Sequence, residues 1–99
     1  MYLVKLFENP VPTDGTAKPL FDGGVHYGQG NGGIDGPLRA LLKDLGRLYC
    51  GEPGKRYSVQ VWDEHAQAWY VPSSGSHFPA GHDGLIPMET VTMVGSLRL

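Results

Sequence analysis

Leu38, Leu41, Leu42, Leu45, Leu48 and Tyr49 recur at spacings of three and four, the strongest pattern in the chain. This spacing predicts an amphipathic helix over residues 37–49. Arg39, Lys43, Asp44 and Arg47 fall off its apolar face. Asp35 or Gly36 suits the N-cap, and Pro37 lies in the first turn, where its missing N–H costs nothing. Gly51 is placed to end the helix, and Pro53 blocks its continuation.

Elsewhere the pattern has a period of two. Residues 2–7 alternate and are rich in strand formers, which predicts a first strand. Residues 18–25 predict a short second strand with Pro19 at its start or on a sheet edge. Residues 56–62 alternate cleanly. Asp63, Glu64, His65 and Ala66 form a turn, and residues 67–71 return as the second arm of a hairpin. Residues 89–99 read as a last strand with Val91, Met93, Leu97 and Leu99 on one face. Segments 9–17, 22–36 and 72–87 read as flexible loops, the second with seven glycines between Gly23 and Gly36.

The prediction is therefore one α+β domain over residues 1–99, with one helix packed on a mixed four- to five-stranded sheet. The element order resembles the β-grasp, or ubiquitin-like, architecture. The run Glu89-Thr90-Val91-Thr92-Met93-Val94-Gly95-Ser96-Leu97-Arg98-Leu99 is similar to its closing strand. Ubiquitin-like modifiers and sulfur carriers use a terminal Gly-Gly, whereas this sequence stops at Leu99. The resemblance therefore implies a fold and no conjugation role.

Ninety-nine residues with 40% hydrophobic and 18% charged side chains suffice for one modest core. A formal net charge of −2 excludes a strongly basic nucleic-acid binder. Cys50 is the only cysteine, which rules out an intramolecular disulfide and a cysteine zinc finger. The N-terminus has no signal-peptide pattern and no apolar run reaches membrane-spanning length, so the reading is a cytoplasmic protein.

Candidate chemistry is sparse. Gly28, Gly30 and Gly33 satisfy GxGxxG ahead of the helix, but residues 21–27 make a poor leading strand and Asp35 would repel a phosphate. His77, His82 and Asp83, with Asp63, Glu64 and His65, supply zinc-type donors at no familiar spacing. Ser73, Ser74 or Ser76 with His77 and Asp83 would form a nucleophile set only by tertiary accident. Cys50 follows a helix C-terminus, where the dipole disfavours a thiolate. The sequence implies no cofactor, no metal site and no catalytic residue.

Two surfaces suit binding. If the hairpin turn is centred on Glu64 and His65, Trp62 faces Gln67, Gln60 faces Trp69 and Val59 faces Tyr70. Tyr57, Val59, Val61, Ala68 and Tyr70 then share the face that meets the leucines. Ser58, Gln60, Trp62, Trp69 and Val71 share the other, leaving both tryptophans outside unless a loop from residues 72–84 covers them. Trp62, Trp69, Gln60, Asp63, Glu64 and His65 are the candidate partner-binding residues. Arg39, Lys43, Arg47, Lys55 and Arg56 form a secondary basic face. The leading expectation is a non-enzymatic module that binds and inhibits a larger protein or ribonucleoprotein complex, in the manner of phage-borne anti-CRISPR proteins. No membrane contact or sequence-specific nucleic-acid binding is expected. A carbohydrate-binding domain using the tryptophans is the first alternative, and a small metal-dependent hydrolase the second.

Overall fold

A computed structural model describes residues 1–28 and 36–88. The expected last strand over 89–99, the cap at Asp35, and Gly30 and Gly33 lie outside the described residues. The described chain runs β1 (Tyr2–Glu8), β2 (Phe21–Val25), α1 (Gly36–Tyr49), β3 (Tyr57–Asp63), β4 (Ala68–Val71), β5 (Ser76–Phe78) and β6 (Ile86–Pro87). These strands form one sheet in the order β2-β1-β3-β4-β5, and β6 also pairs with β3.

The mixed sheet is corrected: every described pairing is antiparallel. Pairs β1–β2, β3–β4 and β4–β5 join strands consecutive in the chain, where each connection reverses direction. After the helix the chain enters β3 running opposite to β1. The described residues alone form six strands, where four or five were expected over the chain. β2 falls within the second strand expected over 18–25 and overlaps the loop expected over 22–36 from Asp22 to Val25; the Phe21 ring lies over Gly23 and leaves no room there for a Cβ. The loop expected over 72–87 contains β5 and β6.

The core lies between α1 and one face of this sheet. Tyr2, Val4 and Leu6 from β1 meet Tyr57, Val59 and Val61 from β3, Tyr70 from β4, and Ile86 and Met88. Leu38, Leu42 and Leu45 close it from the helix. Leu41 is half-buried, whereas Leu48 is 74% exposed and Tyr49 also faces out. At 3.6 residues per turn Leu48 stands about 80° around the axis from Leu38, beyond the contact stripe. The left-handed glycine after the helix is Gly54 (φ 80°), not Gly51. Among the described residues no helix is long and apolar enough to cross a membrane.

Candidate functional site

The hairpin keeps the predicted faces but not the predicted register. Asp63 pairs with Ala68, and Trp62 pairs directly with Trp69. The loop therefore holds four residues, 64–67. It closes with Gln67 in the left-handed region (φ 53°) and with its N–H donating to the Asp63 carbonyl at 2.9 Å. The register differs from the expected one by two residues. Because side chains alternate with period two, each stays on its predicted face. The tryptophans become direct neighbours, their ring centroids 4.8 Å apart at 74°.

Cross-strand pairing aligns an apolar row on the outer face. Leu3 stands opposite Trp62, Trp62 opposite Trp69, and Trp69 opposite Phe78. Lys5 stands opposite Gln60 in the row below. Leu3, Lys5, Gln60, Trp62 and Trp69 line a groove of about 320 Å³. Among the described residues the one helix lies on the opposite face. Leu3 is 39% exposed. Lys5 is exposed and makes no ion pair among the described residues.

The tryptophans are half-buried, and of the two arrangements the sequence allows, open or covered by a loop from 72–84, Trp69 takes the covered one. β4 separates β5 from β3, so the chain leaving Phe78 crosses β4 before Ile86 and Pro87 can pair with β3. It crosses on the tryptophan side. Gly84 (φ 70°) lies so close to the Trp69 ring that a Cβ would run into Cγ, Cδ2 and Cε2. Gln60 Nε2 donates to the Asp83 carbonyl at 2.6 Å.

Of the other predicted site residues, Asp63 points to the core side and is buried. Its Oδ1 accepts from Tyr27 Oη at 2.6 Å, His65 N at 3.0 Å and Ala66 N at 3.2 Å. Its Oδ2 lies 3.0 Å from His77 Nε2. Burial raises the carboxyl pKa, but the hydrogen bonds from Tyr27, His77, Ala66 and His65 together outweigh it and hold the pKa below the usual carboxylate range. Tyr27 moves the other way: desolvation and its bond to Asp63 push the phenol up. Asp63 thus ties the turn to β5 and to the chain after β2. Glu64 faces the N-terminal amine at 3.4 Å, and His65 is exposed beside a depression of about 450 Å³ shared with Tyr2, Tyr27, Gly28 and Asp63.

The basic face is partly neutralised. Arg47 pairs with Asp44 at 2.6 Å. Lys55 pairs with Glu8 and Glu52, each at 3.2 Å. Arg39 is half-buried, which leaves Lys43 and Arg56 as the exposed cations of the set that make no ion pair among the described residues.

His77 is engaged with Asp63, and His82 stacks on Phe78 at 4.2 Å. Among the described residues no three His, Cys, Asp or Glu side chains gather as a metal site. Cys50 is half-buried, and burial pushes its thiol pKa up. No family model, curated protein or solved structure matches the chain.

Proposed function

We propose that the protein is a non-enzymatic interaction module that binds a larger protein or ribonucleoprotein complex through the outer face of its sheet and acts by occluding it. The observation that carries this reading is the row Leu3–Trp62–Trp69 flanking a groove on a sheet face with no helix over it among the described residues. Tryptophan is among the residues that dominate binding energy at protein interfaces, most of all when seated in a pocket with a polar rim. Lys5 and Gln60 supply such a rim here. A phage-encoded inhibitor of a bacterial defence complex is the kind of protein this describes. The test is capture from the native host with the Trp62→Ala/Trp69→Ala variant after its fold has been verified. Loss of partners that the wild type retains supports the reading; unchanged capture removes it.

The groove volume favours a second reading. About 320 Å³ lies at the small end of ligand pockets, and an indole wall stacks sugar rings. Titration with a glycan panel, read by tryptophan fluorescence, separates the two. A saturable response to a free sugar places the ligand ahead of the protein partner.

A further inference from the structure

We propose that residues 79–85 are a strap that covers Trp69 and Gln60 at one side of the tryptophan groove of its own chain. The partner that displaces it is a peptide loop presenting the same two groups: a backbone carbonyl to Gln60 and a glycine over the Trp69 indole. This deepens the interaction reading above and rests on it.

The strap is built as a unit. His82 N donates to the Pro79 carbonyl at 2.9 Å. Gly84 N donates to His82 Nδ1 at 3.0 Å, and Leu85 N to Asp83 Oδ1 at 3.1 Å. The His82 ring lies on Phe78 at 17° between planes. These bonds are local and leave the strap's shape independent of the groove. Its ends are fixed by Phe78 in β5 and by Ile86, which pairs with Val59.

The contacts that reach across to the groove are few and specific. The Gln60 amide donates to a main-chain carbonyl, Asp83 O. The Trp69 ring accepts the backbone of Gly84, where any side chain would overlap it. A site that takes a carbonyl and a residue without a side chain is a site for peptide backbone. The strap shows what ligand fits.

The closed arrangement also leaves something unused. The Trp69 indole N–H is shut off from solvent and finds no acceptor among the described residues. An unpaired buried donor is costly. A partner loop that brings an acceptor to it has an interaction the strap lacks. Leu3 and Lys5, whose ammonium makes no ion pair among the described residues, line the groove beside the covered ring, open to a partner before the strap moves.

The experiment begins on the free protein. Gly84→Ala forces the strap off the ring, and Gln60→Ala removes the amide that donates to the Asp83 carbonyl without touching the strap's backbone. Each variant is expected to keep the wild-type far-ultraviolet circular dichroism, to emit further to the red, and to be quenched by acrylamide about twofold more strongly than wild type. If Gly84→Ala does not fold, Gln60→Ala carries the test. The acetylated, amidated pentapeptide of residues 81–85 is then added at millimolar concentration, the effective concentration of a short tether. In Gly84→Ala it is expected to restore wild-type quenching, whereas the same peptide with alanine at position 84 is not, and neither peptide is expected to act on Gln60→Ala, which lacks the amide that donates to the peptide carbonyl.

Wild-type emission and quenching in every folded variant would overturn the strap. A folded, opened Gly84→Ala that ignores the peptide, or a Gln60→Ala that responds to it, would overturn the peptide-backbone ligand. Neither measurement uses the natural partner, so a failure of the interaction reading shows itself separately, as undiminished capture by Trp62→Ala/Trp69→Ala.

Discussion

Trp62 and Trp69 are direct cross-strand partners that meet edge to face, their ring centroids 4.8 Å apart. Pairs in this arrangement contribute about 0.5–1.5 kcal/mol beyond the area they bury. A double-mutant cycle with Trp62→Ala and Trp69→Ala, read by urea denaturation, should show a coupling energy of that size. Strictly additive losses would mean that the rings do not meet in solution.

Asp63 accepts hydrogen bonds from Tyr27, His65 and Ala66 and contacts His77. Asp63→Ala removes the charged acceptor that Tyr27, His65 and Ala66 share and should cost about 1.5–3 kcal/mol, the range for hydrogen bonds to a charged group. The pH dependence follows from the depressed folded-state pKa. An unfolded aspartate titrates near 3.9, by the usual reference value of about that size. Stability from this group is fully present above the unfolded pKa and is lost as the pH falls through the lower folded one. Denaturant midpoints measured from about pH 5 to about pH 2 should therefore fall more steeply for wild type than for Asp63→Asn. Parallel curves would contradict the depressed pKa.

Leu45 and Leu48 separate the buried stripe of α1 from its edge. Leu45 is 1% exposed and Leu48 74%. Leu45→Ala should cost about 2–5 kcal/mol, the range for a leucine removed from a core. Leu48→Ala should stay within about 0.5 kcal/mol of wild type. Thermal denaturation of the pair orders them. Comparable losses would show that the helix packs on a different face.

Gln67 adopts φ 53°, which costs a side-chain-bearing residue about 1–2 kcal/mol. Its Nε2 recovers part of this by donating to the Glu64 carbonyl at 2.7 Å. Gln67→Gly should stabilise the hairpin by about 0.5 kcal/mol, and Gln67→Val should destabilise it by about 1–2 kcal/mol. Equilibrium unfolding in guanidinium measures both. A stabilising valine would rule out the left-handed turn.

The helix and the two faces of the hairpin were legible because each rests on a periodicity that burial enforces. Leu38, Leu42 and Leu45 occupy the core as their spacing predicts. Trp62 and Trp69 lie opposite that core although their register moved by two residues, since parity alone decides the face. The position of the four-residue turn was hidden, because glutamine carries no signal for the left-handed region that Gln67 adopts. β5 and β6 have three and two residues, too few to show alternation. β2 was mistaken in part for loop, because the ring that covers Gly23 comes from its own strand. The Asp63 network joins residues 36 and 14 positions away in the chain, and only tertiary contact brings them together. The cover over Trp69 is one of the two arrangements that the sequence allows. That it depends on Gly84, one of 15 glycines, has no local signature.

The most direct measurement is the dissociation constant for the principal protein captured from the native host, purified and titrated calorimetrically against folded wild type and variants. The interaction reading predicts that Trp62→Ala/Trp69→Ala weakens binding by about 100-fold or more, a loss of about 2.7 kcal/mol. It also predicts that Lys43→Glu and Arg56→Glu, both away from the groove, leave binding within about threefold of wild type. Wild-type affinity in the double tryptophan variant would contradict it.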